Sequence, residues 1–296
     1  MSYNVENLFH PEDDPNTDDE EFTPTGARHW GYARYHHKLR QIAKVIMAAG
    51  EWDTPALVGL CEVENDSVLT HLLHRTPLRS QNYRYCITHG SDNRGINVAL
   101  LYQRDKFRYI DHRSLQVAKP HNISHTRDIL HVWGEIAGGD TLDIMVCHFP
   151  SKYGGEKESE ARRMDAARTL RALTDSLSLV RKTPLLIALG DFNDTPDSEC
   201  MQYLTATTLK LSTIEGSHKY QSNWQQIDHI LIHRRMSTPV SSMQIIPDSV
   251  RIFAPSFLLT EDKTWLGQRP HRTYHGYKYE AGYSDHLPIL ADFLIR

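Results

Sequence analysis

The chain has 296 residues, of which 40% are hydrophobic and 24% charged, and its formal net charge at pH 7 is −4. This composition is that of a folded globular protein, and it excludes the disordered, collagen-like and membrane-spanning classes. Because the small acidic excess provides no general cationic field, a nucleic-acid substrate would have to be held by local charges.

The predicted elements alternate irregularly along the chain. Apolar residues at helical spacing predict helices, and short apolar runs predict buried strands. An acidic stretch at 11–25 has the composition of a solvated loop. The predicted helices are 32–49, 67–75, 158–180 and 198–204, and the predicted strands are 2–5, 56–63, 83–88, 96–102, 107–115, 129–136, 142–149, 185–189, 227–232, 240–246 and 287–294.

This order of elements argues against a Rossmann or barrel chain. It favours an α/β fold in which two mixed β-sheets pack face to face with helices outside, a four-layer sandwich. No internal repeat and no Gly/Ser-rich or Pro-rich linker divides the chain, so residues 1–296 are predicted to form one domain.

The four cysteines are widely spaced and include no CxxC pair. Cys61 and Cys147 lie inside apolar runs, so the cysteines are interpreted as buried thiols and not as a disulfide or zinc framework. No run of about 18 apolar residues is present, which predicts no transmembrane segment. The sequence as given indicates a cytoplasmic protein, or an exported one if a leader has been removed.

Four of the predicted buried strands carry a metal-binding or proton-binding residue at one end. Glu62 and His148 end two of them, Asp191 and Asn193 follow a third, and Asp228 lies in the fourth. Singly, each residue could be a turn or cap residue. Because strand ends can bring side chains together on a rigid site, their repeated placement favours a catalytic site.

The segment Gly190-Asp191-Phe192-Asn193 is the sharpest local signal. A glycine allows a tight turn at the strand exit, and the carboxylate and carboxamide that follow, two residues apart, can face one pocket. They supply a proton acceptor and a neutral donor, which suit an attacking water and an anionic phosphoryl group. By itself the segment could also be an Asx-rich turn before a helix.

Six short motifs lie in order over nearly the whole chain: Tyr3-Asn4-Val5, residues 57–62, Cys147-His148-Phe149-Pro150, Gly190 to Asn193, residues 227–232, and Ser284-Asp285-His286-Leu287-Pro288. Together they make the sequence resemble the endonuclease/exonuclease/phosphatase superfamily. That superfamily includes exonuclease III-like abasic-site nucleases, pancreatic deoxyribonuclease, bacterial sphingomyelinases and inositol polyphosphate 5-phosphatases.

The resemblance implies a metal ion and a base. Asn4 and Glu62 correspond to the ligands of the principal Mg²⁺, for which Mn²⁺ could substitute, and this ion prefers such oxygen ligands. Asp191 resembles the base that activates water. Asn193 resembles the residue that orients this base and the phosphoryl group.

The resemblance also implies the groups that stabilise charge on phosphorus. His286 resembles an imidazole with this role, and Asp228 its carboxylate partner. His148 resembles a second imidazole that contacts phosphate. Asp285 corresponds to a ligand for another metal ion.

Three cationic residues in loops near the motifs, Arg94, Lys152 and Arg272, are predicted to bind the substrate, although such loops are as often simply solvated. The predicted function is a Mg²⁺-dependent hydrolase of phosphoric esters, preferably a nuclease or phosphodiesterase, that acts as a monomer. The residues around Asp228 lack the tryptophan-containing signature of the inositol phosphatases. A sphingomyelinase-like activity stays open, although no apolar hairpin with exposed aromatic residues is visible. A catalytically silent member that binds phosphorylated ligands is the remaining alternative.

Overall fold

The computed structural model describes residues 1–117, 126–152, 156–206, 208–211 and 216–296. Each of the four predicted helices is present within one or two residues of its predicted ends. The α-helices are α1 (Tyr32–Ala49), α2 (Asp66–His74), α3 (Glu156–Val180) and α4 (Glu199–Thr205), and short 3₁₀ helices occupy Glu20–Phe22, Pro77–Ser80, Arg234–Ser237 and Ser256–Leu258.

The strands begin at the second residue and continue to the C-terminus. In chain order they are β1 (Ser2–Leu8), β2 (Leu57–Val63), β3 (Tyr83–Ile87), β4 (Asn97–Gln103), β5 (Arg108–Leu115), β6 (Ile129–Glu135), β7 (Thr141–His148), β8 (Leu185–Asp191), β9 (Leu209–Leu211), β10 (His218–Tyr220), β11 (Asn223–Gln225), β12 (Asp228–His233), β13 (Met243–Ile245), β14 (Arg251–Ile252), β15 (Leu259–Glu261), β16 (Gln268–Pro270), β17 (Tyr274–His275), β18 (Lys278–Tyr279), β19 (Ile289–Leu290) and β20 (Phe293–Ile295).

Two six-stranded sheets form the centre of the molecule. The first has the order β14-β19-β1-β2-β4-β3 and the second the order β5-β6-β7-β8-β12-β9. Each sheet is mixed, since β1 is parallel to β2 and β7 is parallel to β8 while their other neighbours are antiparallel. The predicted pair of mixed sheets is therefore confirmed.

Alternation along β8 shows how the layers are built. Ile187 and Leu189 belong to the apolar core between the sheets, whereas Leu186 and Ala188 belong to the cluster that β8 forms with α3 and α4. A third cluster lies between the first sheet and helices α1 and α2. Strands that are buried on both faces have continuous apolar sequences, and the sequence of β8 has this pattern. The order of layers is thus helix, sheet, sheet, helix, as predicted.

The structure differs from the predictions at the C-terminal end. The predicted strand 287–294 divides into β19, which joins the first sheet, and β20, which pairs with β13. The break falls at Asp292, whose backbone N–H donates to Ser249 Oγ at 3.1 Å and whose carbonyl accepts from Ile246 at 2.9 Å. These bonds turn the chain out of the first sheet, a change that apolar patterning cannot reveal.

Four further differences concern short elements and loops. The predicted strand 240–246 is reduced to β13, and the hairpins β10–β11, β15–β16 and β17–β18 were not predicted, because strands of two or three residues carry no usable period. Contrary to expectation, all three hairpins expose aromatic side chains, with Trp224, Trp265 and Tyr277 among them. The acidic loop at 11–25 is not wholly solvated either, since Phe22 is buried and stacks on Phe9 at 4.4 Å.

All four cysteines are free and buried, which confirms their interpretation as thiols of the interior. Among the described residues, none of the helices combines the length and the apolarity needed to cross a membrane.

Candidate active site

Strand register brings three of the predicted residues side by side at one end of the second sheet. The parallel pairing of β7 with β8 sets His148 opposite Asp191, and the antiparallel pairing of β8 with β12 sets Asp191 opposite Asp228. Each of these residues ends or begins its strand, so their side chains emerge at the same edge. The spacing along the chain, more than 35 residues in each case, is irrelevant once the strands are paired.

The first sheet supplies Asn4 and Glu62 at the facing edge. Asn4 pairs with Cys61, and the register between β2 and β4 shifts between Cys61 and Val63. This bulge places Glu62 in a left-handed backbone conformation, with φ +66°, which is costly for a residue with a side chain. A bulge at the end of a strand redirects a side chain. Here it turns Glu62 towards Asn4, whose Nδ2 lies 3.2 Å from Glu62 Oε1.

The carboxylate of Asp191 is the centre of the site. Its Oδ1 accepts a hydrogen bond from the backbone N–H of Asn193 at 2.9 Å. Its Oδ2 accepts one from Asn4 Nδ2 at 3.1 Å and lies 3.7 Å from His148 Nε2 and 3.8 Å from His286 Nε2. One oxygen is therefore fixed by the backbone, and the other faces the groups that the sequence predicted to surround a phosphoryl group.

Burial sets the electrostatics of this carboxylate. Removal from water, together with the negative charge of Asp228, raises the pKa of Asp191 to about 7, although the charge of His286 and the hydrogen bond from the Asn193 amide act in the opposite direction. A carboxyl group with a raised pKa is a stronger proton acceptor than an exposed aspartate.

His286 is held by a second carboxylate. Its Nδ1 lies 2.7 Å from Asp228 Oδ2, and the same oxygen accepts a hydrogen bond from Ser217 Oγ at 2.6 Å. Burial disfavours the imidazolium, but the carboxylates of Asp228 and Asp191 outweigh it and raise the pKa of His286 well above its usual value. The second ring nitrogen, Nε2, consequently presents a positively charged donor towards Asp191.

The pKa of His148 is shifted in the opposite direction to that of His286. Burial, reinforced by the positive charges of Arg127 and His286, lowers the pKa of His148 well below its usual value. Its Nδ1 is buried and has no hydrogen-bond partner among the described residues. The ring is therefore neutral, and it carries an unsatisfied nitrogen next to the centre of the site.

Asn193 contacts the base in a different way from the one expected. Its backbone N–H, and not its side chain, donates to Asp191, while its side-chain Nδ2 donates to the Phe149 carbonyl at 3.0 Å. The residue has φ +52°, a left-handed conformation that asparagine tolerates better than most residues. The conformation directs the N–H back at Asp191.

The corner formed by Asn4, Glu62 and Asp191 fits a hard divalent cation. One neutral amide separates two carboxylates, and such clusters of carboxylate and amide oxygens are the ligands that Mg²⁺ prefers. Asn4 Oδ1 accepts from the Glu6 backbone N–H at 3.0 Å, so the amide would have to turn for this oxygen to bind a cation. Glu62 is only partly buried, which leaves the corner open to solvent.

The remaining predicted residues lie around this centre with partners of their own. Arg94 donates to the side chain of Asn7, whose backbone N–H donates to Glu62 Oε2 at 2.8 Å. Lys152 is largely exposed, and its Nζ lies 4.0 Å from Asp194. Asp285 and Arg272, which were predicted to bind a metal ion and the substrate, form an ion pair with each other at 2.7 Å.

Sequence reasoning missed three residues of the site. Ser217 donates to Asp228, the His218 ring packs against the His286 ring at a tilt of 39° with centroids 4.8 Å apart, and Arg127 lies close enough to His148 to affect its pKa. Burial, with the nearby charge of His286, lowers the pKa of His218 to about 4. None of the three lies in an apolar run or beside a motif, so no local signal marked them.

Gly190 is required by the close approach of β8 to β7. It has φ +141°, and a Cβ at this position would lie 1.9 Å from the carbonyl oxygen of Cys147. We expect Gly190→Ala to lower the free energy of unfolding by about 3 kcal/mol or more, because strain and a backbone clash add. Urea denaturation measures this loss.

Gly139 provides the matched control. It has φ +87° in the turn between β6 and β7, with no atom within 4 Å of an added Cβ. Gly139→Ala should therefore cost only the conformational strain, about 1 to 2 kcal/mol. Equal losses in the two variants would contradict the clash at Gly190.

Comparison with known proteins agrees with this arrangement of sheets. A sequence profile described as the Endonuclease/Exonuclease/phosphatase family matches residues 1–294. No curated protein matches the chain. Similar solved structures include a mannosyl-6-phosphatase from Bacteroides thetaiotaomicron, with 14% identity, TM-score 0.62, and coverage of 99% of this chain and 98% of that chain.

Two further structures have the same fold. The human Nocturnin catalytic domain with bound sulfate has 16% identity and TM-score 0.60, covering 99% of this chain and 92% of that chain. A truncated Caenorhabditis elegans TDP2 has 13% identity and TM-score 0.61, covering 88% of this chain and 92% of that chain. At such low identities the likeness shows the fold alone.

Proposed function

Because this chain belongs to the endonuclease/exonuclease/phosphatase family, we propose that it hydrolyses a phosphoester bond by direct attack of water on phosphorus. The observation that carries the proposal is the position of Asp191 Oδ2, which faces Asn4, His148 and His286 at 3.1 to 3.8 Å. An amide and two imidazoles are thereby gathered around one oxygen of the proposed base, where we propose that the phosphoryl group binds.

Asp191 is the proposed general base. The Asn193 N–H fixes one of its oxygens, and the other, which accepts a single hydrogen bond from Asn4, is proposed to accept a proton from an attacking water. Its burial excludes bulk water from competing for this oxygen and raises its affinity for the proton. The direction of attack is set by the backbone of β8 and not by a mobile loop.

The two histidines are proposed to act on the phosphoryl oxygens. His286, held by Asp228, offers a cationic Nε2 that stabilises negative charge as it develops in the transition state. The neutral His148 offers a second ring nitrogen without adding charge. Donors fixed before the reaction lower the barrier because they need not reorganise.

Members of this family generally depend on a divalent metal, and in this protein Asp191, Asp228 and His286 form a buried cluster of acidic and histidine residues. Asn4 and Glu62 are the residues proposed to hold such an ion, with Mg²⁺ or Mn²⁺ as candidates. When bound there, the ion would neutralise phosphoryl oxygens and favour the ionised form of Asp191. The corner between the sheets is oxygen-rich and open to solvent, as this role requires.

A phosphodiester, such as a nucleic acid, is the preferred substrate class. The net charge of −4 makes binding by general phosphate neutralisation unfavourable, so recognition would depend on local cations. Arg94 and Lys152 are the nearby candidates, because each contacts a residue adjacent to the centre in space or sequence.

A second candidate is a phospholipid diester, and exposed hairpin residues favour it. Tyr220 and Trp224 are exposed on β10–β11, and Trp265 and Leu266 are exposed on the neighbouring loop between β15 and β16. Lys219 on β10 connects this hairpin to the loop, because its Nζ donates to the Leu266 carbonyl at 2.7 Å. Aromatic and apolar side chains presented on a surface beside an active site suit an interface with lipid.

A substrate panel tests both candidates. We expect turnover of bis-p-nitrophenyl phosphate with Mg²⁺ or Mn²⁺, slower turnover of the monoester, and loss of both in EDTA. Plasmid DNA and sphingomyelin vesicles separate the two natural classes, since faster turnover of vesicles would favour the lipid. Absence of EDTA-sensitive turnover on every substrate would refute the enzyme and favour a silent phospho-ligand-binding protein.

Glu62→Gln tests the proposed metal ligand. Losing the carboxylate should raise the metal concentration for half-maximal activity roughly 100-fold, since even outer-shell changes alter metal affinity by 10 to 100-fold. Glu51→Gln, which removes an exposed carboxylate after α1, is the control and should leave metal dependence unchanged. An unchanged metal dependence in Glu62→Gln would exclude Glu62 as a ligand.

A further inference from the structure

Arg272 lies between two acidic side chains at the edge of the active site. Its Nη2 donates to Asp285 Oδ2 at 2.7 Å, and its Nε lies 3.5 Å from Glu6 Oε1. Glu6 is almost completely buried, and Asp285 is partly exposed. One guanidinium thus spans two carboxylates that are separated by 279 positions in the sequence.

The backbone around Arg272 is built to hold this arrangement. The N–H of Thr273, the next residue, donates to Glu6 Oε2 at 2.6 Å, and the N–H of Tyr274 lies 3.5 Å from Glu6 Oε1. The Glu6 backbone N–H in turn donates to Asn4 Oδ1. The cluster of Arg272, Glu6 and Asp285 is therefore connected directly to Asn4, a residue proposed to hold the catalytic metal.

A second buried cation, Lys38, contacts the residue that follows Arg272. Lys38 Nζ donates to Thr273 Oγ1 at 2.5 Å and to the Tyr283 carbonyl. The negative charges of Glu6 and Asp285 favour the cationic form of this lysine, although burial lowers its pKa to about 8. Arg272 contacts both carboxylates, and Lys38 lies near enough for their charges to affect its pKa.

We propose that the guanidinium of Arg272 takes the place of a second metal ion between Glu6 and Asp285, so that the protein binds a single divalent cation. The inference rests on the proposed function. A divalent ion placed between Glu6 and Asp285 would meet the guanidinium that binds Asp285 Oδ2, and the two positive charges would repel each other. The resemblance implied that Asp285 binds a metal ion, and in the structure Asp285 is paired with the guanidinium of Arg272 instead.

The alternative is that Arg272 binds substrate, as its loop position first suggested. That role would leave Asp285 free of a permanent partner, and removing Arg272 would weaken substrate binding without changing metal binding. Our proposal gives the opposite expectation. Removing the guanidinium leaves two carboxylates with one counter-charge fewer, and a divalent ion can then bind between them.

Counting bound Mn²⁺ on the full chain by electron paramagnetic resonance, without substrate, separates the two roles. We expect one ion for the native protein, two for Arg272→Gln, and one for Arg272→Lys, which keeps the charge. Arg269→Gln is the matched control, because Arg269 pairs at 2.7 Å with one carboxylate, that of Glu280. It should leave the count at one.

Two bound ions in the native protein, or one in a folded Arg272→Gln variant, would overturn the proposal. If Arg272→Gln does not fold, a native count of two can still overturn the proposal, and Glu6→Gln should leave the count at one if Glu6 is no metal ligand. No bound Mn²⁺ in the native protein would instead refute the proposed metal dependence, so the two failures are distinguishable.

Discussion

Replacing Asp191 with asparagine is expected to lower kcat/KM about 10³-fold, which is within the range for loss of a general base. The side chain keeps its shape, and its oxygen can still accept a hydrogen bond from the Asn193 N–H, so the fold should persist. The variant cannot accept a proton from water. A loss in kcat at an unchanged KM for bis-p-nitrophenyl phosphate would be the signature.

Asp197→Asn is the matched control for this variant. Asp197 lies in the loop that follows β8 and is exposed, so its replacement removes the same charge from the same segment without touching the site. It should keep the native rate. If Asp191→Asn retained more than about a tenth of native activity while folded, Asp191 would not be the general base.

The second large effect is expected for His286. Replacing it with glutamine removes the cation that Asp228 holds at 2.7 Å, and should lower kcat about 10² to 10³-fold, as for loss of one preorganised donor to developing charge. Asp228→Asn should cost a similar factor. Because the two residues act as a unit, the double variant should be little worse than either single one.

His218→Gln tests whether the chemistry belongs to His286 itself. The His218 ring packs against His286 at a tilt of 39°, but among the described residues no hydrogen bond or ion pair joins it to Asp191 or Asp228, so its loss should change kcat far less. Equal losses for the two histidines would indicate that packing of the pair, and not charge on His286, supports the reaction. Additive losses for His286 and Asp228 would likewise contradict their coupling.

The sequence predicted these site residues because the patterns that mark them are local. Apolar runs identified the strands, and a polar residue at the end of each run marked the edge where the sheets present side chains. The strand register brings the side chains together, since His148, Asp191 and Asp228 lie opposite one another on neighbouring strands. The family motifs added order along the chain but no distances.

Other features depended on contacts between distant parts of the chain. Ser217 and His218 meet Asp228 and His286 only because β10 reaches a bridge with His286, and no motif precedes them. The division of the last strand depended on hydrogen bonds from Asp292 to a loop more than 40 residues away.

The sequence alone determined the alternation of the elements, the two sheets and the residues that end their strands, because burial on both faces leaves a pattern within a few residues. It also placed Asp285 and Arg272 near the site. Only the tertiary structure decided that these two bind each other and Glu6, because attraction between charges depends on distance in space, which residue order does not record.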